Sequence, residues 1–142
     1  MKPIEMVQPE NKADEAPEKG LKAICKILIV DDEGDICYLL SKLFKQRNLE
    51  YDQVNTLAQA ETMLKESVPD IIFLDHNLPD GFGINKIEEI KGLYPQIKIV
   101  IITAHDGAST KNKAMKKGAD FFISKPFTSE QVYDCIDTLA CA

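Results

Sequence analysis

From residue 26 onward, short runs rich in β-branched residues alternate with stretches in which apolar residues recur every three or four positions. The runs 26–30, 70–74 and 97–102 are almost continuously apolar, the pattern of central strands covered on both faces. The runs 50–54 and 120–124 are more polar and suit edge strands. Between them, Ile36, Leu39, Leu40, Leu43 and Phe44 form an apolar stripe on a first helix. Thr56-x-x-Gln59 makes a capping box for a second helix, which buries Leu57, Ala60 and Leu64. Ile84, Ile87 and Ile90 mark a third helix, and Thr128-x-x-Gln131 caps the last, with Val132, Cys135, Ile136 and Leu139 as its stripe. The segment 108–117 is the weakest helix, with Ala114 and Met115 as core contacts among Lys111, Lys113, Lys116 and Lys117. That lysine cluster reads first as a solvated helix face and second as a surface for an acidic partner.

Strict alternation of strands and helices implies a parallel sheet covered on both faces. Five strands and five helices are too few for a TIM barrel. The expected architecture is α/β: a flavodoxin-like, doubly wound, five-stranded parallel sheet of strand order 2-1-3-4-5. Residues 1–23 are polar, carry Pro3, Pro9 and Pro17, and lack periodicity, so they read as a flexible tail ahead of one domain spanning 24–142.

Composition narrows the function. A formal net charge of −6 over 142 residues disfavours direct nucleic-acid binding, because such a surface repels phosphate backbones. No apolar run approaches the roughly 20 residues needed to span a bilayer, and the first residues lack the apolar core of a signal peptide. A cytoplasmic protein is expected, with no membrane partner. Cys25, Cys37, Cys135 and Cys141 show no CxxC or histidine-linked metal spacing and read as small core residues with free thiols.

Polar residues interrupt the apolar pattern at strand ends. Asp31 and Asp32 follow the first strand, Asp75 ends the third, Thr103 ends the fourth and Lys125 follows the fifth. In an open α/β sheet, ligands bind at the carboxyl edge where winding reverses, here between strands one and three. Three carboxylates therefore converge where a ligand is expected. Two unit charges about 5 Å apart at an effective dielectric near 20 repel by roughly 3 kcal/mol. A divalent cation removes that cost, and hard oxygen donors on a watery rim suit Mg²⁺. Lys125 adds a point charge for a phosphoryl oxygen and Thr103 adds a hydroxyl. Asp75, alone at the central strand end, is the best placed nucleophile for an acyl phosphate. Taken singly, an Asp after a strand is commonly a turn or a helix cap. Five such residues in register at successive strand ends are not explained that way.

The stretches Ile27-Leu-Ile-Val-Asp31-Asp32-Glu33, Leu74-Asp75-His76-Asn77-Leu78-Pro79 with Gly83 beyond, Ile102-Thr103-Ala104 and Lys125-Pro126-Phe127 resemble the receiver domain of two-component response regulators, over residues 25 to about 140. The resemblance implies that Asp75 is the phosphoacceptor, Asp32 a direct Mg²⁺ ligand, and Asp31 a ligand through water or a support for one. Asn77 would lend its backbone carbonyl to the metal. Thr103 would be the switch hydroxyl, Lys125 the lysine that pairs with the phosphoryl group, aimed inward by a cis Lys125–Pro126 bond, and Phe122 the aromatic switch residue. Phe122 also reads simply as a core aromatic beside Phe121. His76 and His105 sit where the family tunes phosphoryl lifetime, although an exposed loop histidine is more often inert.

The function implied is that of a stand-alone receiver in phosphorelay signalling, not a classical turnover enzyme. A histidine kinase or histidine phosphotransferase would donate the phosphoryl group, and an unidentified protein target would read the state of residues 108–127. Other classes fit less well. A haloacid-dehalogenase-like phosphatase needs a second acid where Asn77 stands, and a flavodoxin-like flavin binder needs a phosphate loop where Asp31-Asp32-Glu33 would repel it. A non-phosphorylated adaptor on the same fold is the alternative.

Overall fold

The computed structural model describes residues 25–104 and 107–139. The tail 1–23, His105 and Cys141 lie outside the described residues. Five strands, β1 (Lys26–Val30), β2 (Glu50–Val54), β3 (Ile71–Leu74), β4 (Lys98–Thr103) and β5 (Phe121–Ser124), form one parallel sheet of order 2-1-3-4-5. The two more polar runs occupy its edges, as their composition requires.

Five helices connect and follow the strands: α1 (Gly34–Gln46), α2 (Leu57–Glu66), α3 (Ile87–Leu93), α4 (Ala108–Lys116) and α5 (Ser129–Thr138). Side chains alternate across the sheet, and the alternation builds two cores. On one face Ile27, Ile29, Phe73, Val100 and Ile102 pack against Cys37, Leu40 and Phe44 of α1 and Val132, Cys135 and Ile136 of α5. On the other, Leu28, Val30, Ile72, Leu74 and Ile101 meet Leu57, Ala60 and Leu64 of α2, Ile87 and Ile90 of α3, and Ala114 of α4.

The helix stripes hold with local departures. Leu39 is 47% exposed, because Cys37 rather than Leu39 faces the core beside Leu40. Met115 is 42% exposed, which leaves Ala114 as the one buried side chain of α4. A helix so lightly packed has little apolar burial to hold it in one position. Thr56 accepts from the Gln59 amide at 3.0 Å, but the Gln59 side chain returns to the Asn55 amide at 2.8 Å and not to Thr56. The Thr128 capping box closes in both directions, with Gln131 N to Thr128 Oγ1 at 3.1 Å and Thr128 N to Gln131 Oε1 at 2.8 Å.

Two elements have no counterpart in the periodicity. A two-stranded antiparallel ribbon pairs Asn77–Leu78 with Gly81–Phe82, and a 3-10 turn over Gly83–Lys86 leads into α3. Cys37 and Cys135 are buried free thiols, and burial pushes them up to about 11 and about 12, so they stay protonated. Cys25 departs from the free-thiol reading: it is buried and disulfide-bonded. Bridging depends on Cα atoms lying within about 7 Å, which sequence spacing alone does not reveal.

Thr128→Ala removes the reciprocal cap of α5 and is expected to lower stability by about 1 kcal/mol, read as a shift of the urea midpoint at unchanged slope. A midpoint equal to the parent's would show that the box contributes nothing.

Candidate functional site

Parallel register brings the polar strand ends together. Val30 pairs with Leu74, so Asp31 and Asp75 leave neighbouring strands side by side. Thr103 pairs with Ser124, and the Lys125 amide donates to the Thr103 carbonyl at 2.9 Å, which sets the lysine at the same edge. The Lys125–Pro126 bond is cis.

The Lys125 ammonium, 8% exposed, lies 3.0 Å from Asp31 Oδ2, 2.8 Å from Glu33 Oε1 and 3.5 Å from Asp75 Oδ2. Asp31 is wholly buried and tied down on several sides. Its Oδ1 accepts from the Glu33 amide at 2.9 Å, and its carbonyl accepts from Asn55 Nδ2 at 3.0 Å and from the Cys37 thiol at 3.3 Å. Asp75 is 4% exposed and its amide donates to the Val30 carbonyl at 2.9 Å.

Crowding sets the electrostatics. Burial first, and the charge of Asp31 second, push the Asp75 carboxyl up to about 6 against the opposing pull of Lys125. Burial likewise raises Asp31, against the Glu33 amide and Lys125. For Lys125, burial opposes the charge, but contacts with Glu33, Asp31 and Asp75 outweigh it and hold the ammonium above its ordinary value.

Asp31, Asp32 and Asp75 each present an oxygen, and the three oxygens lie within 4.8 Å of one another. Opposite ligands of an octahedral Mg²⁺ stand about 4.2 Å apart at bond lengths near 2.1 Å, so these donors fit Mg²⁺ after a small contraction or with water bridging one of them. Asp32 is exposed, which keeps that side of the set open to water.

The other sequence-derived residues are placed around this centre. Asn77 lies in the ribbon two residues after Asp75 with its side chain exposed. The His76 ring stacks on Phe82 at 5.0 Å and 23° and borders a shallow depression with Asn85, Ser109, Thr110 and Lys113. Phe122 is half-buried and packs against the core face that carries α4. Two residues of the site entered the sequence reading only as members of the family stretches, with no role assigned. Glu33 makes the shortest contact to Lys125, and its only signal was its place after Asp31-Asp32. Gly83 donates to the His76 carbonyl at 2.7 Å, and a Cβ there would lie 2.1 Å from the Asp75 carbonyl oxygen. The chain must pass so close to the central aspartate that no side chain fits.

A doubly wound parallel sheet with an acidic triad and a lysine at its switch point places a candidate ligand site where α/β domains of this class bind their ligands. Residues 27–137 match the model of the response regulator receiver domain, and the chain belongs to that family. It is 32% identical over 113 residues to the response regulator protein PilR of Pseudomonas aeruginosa, covering 80% of this chain and 25% of PilR. It is 30% identical over 109 residues to the phosphate regulon transcriptional regulatory protein PhoB of Escherichia coli, covering 75% of this chain and 48% of PhoB. The chain thus spans a quarter to a half of the length of these curated relatives. Among solved structures, the beryllofluoride-activated NtrC4 receiver domain dimer superposes with a TM-score of 0.77 at 38% identity, covering 80% of this chain and 94% of that one.

Because the Asp75 carboxyl is raised from 3.8 to about 6, it holds its proton more tightly folded than unfolded. Its contribution to the stability of metal-free protein is full below pH 3.8 and is lost as pH rises through about 6. Asp75→Asn is therefore expected to stabilise metal-free protein at pH 7 by about 1–3 kcal/mol, with the gain shrinking toward pH 4, in urea unfolding with a chelator. A destabilised Asn variant at pH 7 would contradict this. Gly83→Ala is expected to cost about 1–3 kcal/mol in the same assay, through displacement of the Asp75 carbonyl.

Proposed function

We propose that this receiver domain accepts a phosphoryl group on Asp75 from a phosphohistidine of a sensor kinase or histidine phosphotransferase and signals through a change of surface. The observation that carries the reading is one buried carboxylate in contact with a buried lysine and within reach of two further carboxylates. A carboxylate oxygen of Asp75 attacks the phosphorus in line, the bond from phosphorus to the donor imidazole nitrogen breaks, and the departing imidazole takes up a proton. Asp31, Asp32, Asp75 and the Asn77 carbonyl would hold Mg²⁺, which when bound would supply positive charge to the phosphoryl oxygens.

Lys125 holds Asp75 in place before transfer and pairs with a phosphoryl oxygen afterwards, released in part from Glu33 and Asp31. Thr103, buried at the end of β4, supplies the hydroxyl that moves toward the phosphoryl group, and Phe122 follows on β5. Displacing Thr103 and Phe122 biases α4, in which Ala114 is the one buried residue. Residues 108–127 then form the output face. His76, stacked on Phe82, borders the opening and modulates the lifetime of the acyl phosphate. The domain promotes its own phosphorylation without being a turnover enzyme.

The relatives do not support the stand-alone reading, since in them the matched unit is part of a longer protein. PhoB is itself named a transcriptional regulatory protein, so exclusion of nucleic acid extends no further than the acidic charge of this chain. Cytoplasmic action belongs to this reading, and among the described residues no helix is long and apolar enough to cross a membrane.

Incubation with Mg²⁺ and a small acyl-phosphate donor is expected to add one phosphoryl group to the intact mass, with no adduct on Asp75→Asn or after chelation. An unmodified parent protein would favour the non-phosphorylated adaptor.

A further inference from the structure

The loop from Asp75 to α3 is pinned by a carboxylate outside the acidic triad. Asp80, just beyond Pro79, accepts from the two leading amides of α2: Leu57 N to Oδ1 at 2.9 Å and Ala58 N to Oδ2 at 3.0 Å. These two donors have no partner within the helix, and a carboxylate there also complements the positive end of the helix dipole. The two backbone hydrogen bonds, Leu57 first, draw the Asp80 carboxyl below its ordinary range. The neighbouring residue is fitted to the same seat, since a Cβ at Gly81, where φ is +152°, would come within 3.0 Å of Leu57 Cδ1.

The same end of α2 reaches the opposite wall of the pocket. The Asn55 amide donates to Gln59 Oε1 at 2.8 Å, and Asn55 Nδ2 donates to the Asp31 carbonyl at 3.0 Å. The start of α2 therefore spans the two loops that carry the acidic triad: Asp80 ties it to the loop of Asp75 and Asn77, and Asn55 ties it to that of Asp31 and Asp32. Thr56, by contrast, caps the helix internally, its hydroxyl accepting from the Gln59 amide at 3.0 Å.

We propose that Asp80 is a positioning residue for the Mg²⁺ site: by clamping the 76–80 loop onto the amino end of α2, it fixes where Asp75 and the Asn77 carbonyl stand relative to Asp31 and Asp32. The inference rests on the metal-dependent reading of the pocket given above. Its chemistry requires a carboxylate with both oxygens accepting, which neither Asn nor Ala supplies.

The test is a calorimetric Mg²⁺ titration of Asp80→Ala, Asp80→Asn and Thr56→Ala beside the parent, together with amide hydrogen exchange at Leu57 and Ala58. Asp80→Ala is expected to weaken Mg²⁺ binding by about tenfold and to speed exchange at both amides. Asp80→Asn, which keeps one accepting oxygen, should fall between Ala and the parent. Thr56→Ala should leave the affinity at the parent value. Unchanged affinity in Asp80→Ala overturns the proposal, and so does an equal loss in Thr56→Ala, which would mean that any weakening of α2 has the same effect. A parent protein that binds no Mg²⁺ fails with Asp80 in place, and that outcome refutes the metal-dependent reading of the pocket together with the role of Asp80 toward the metal.

Discussion

Three carboxylates, those of Asp31, Glu33 and Asp75, crowd around one buried ammonium group, and most of the site's chemistry depends on that imbalance. One lysine cannot neutralise the cluster, and Asp32 adds a further negative charge within reach. The excess shows in the raised Asp75 carboxyl, which burial and Asp31 together hold at about 6. A pocket in this condition gains from any cation that enters and from any rearrangement that gives Lys125 a better anion. Both fit the switching role proposed above, where a site built only for stability would balance its charges or bury apolar groups instead.

The sheet makes such a cluster tolerable. The central strands are locked by parallel pairing and by cores on both faces, so the ends of β1 and β3 cannot relax apart to relieve repulsion. The surrounding loops are tied just as firmly. Asp31 is held through Asn55 and Cys37, Gly83 passes under the Asp75 carbonyl, and Asp80 seats the following turn on α2. Against this rigid rim, α4 stands out for having a single buried side chain. In the proposed function, this contrast in packing would let a small change at the strand ends appear as a larger one at α4.

Much of this was legible in the chain itself. Strand and helix faces follow from periodicity because a residue's burial repeats every second position in β and every third or fourth in α, and the misplacements at Leu39 and Met115 are single positions on the margin of a stripe. The strand-end residues Asp31, Asp75, Thr103 and Lys125 stood out because each breaks an apolar run at a fixed structural boundary. Asp80 did not, and Glu33 and Gly83 entered only as members of the family stretches, with no role of their own. A Glu after two Asp residues, an Asp after Pro, and a Gly before an apolar helix are ordinary surface or turn residues by every local criterion.

The sequence alone determined the α/β class, the strand order, the family and the set of groups that gather at the sheet edge, because these depend on patterns within short segments and on the limited ways such segments pack. Only the tertiary structure decided which carboxylate Lys125 meets most closely, that Asp80 grips a helix whose start lies more than twenty positions earlier in the chain, that Gly83 leaves no room for a side chain, and that Cys25 is bridged. The Lys125 and Asp80 contacts join segments distant in the chain. Their partners are fixed by how far apart the folded backbone holds them, and no local pattern of hydrophobic and polar residues encodes that distance.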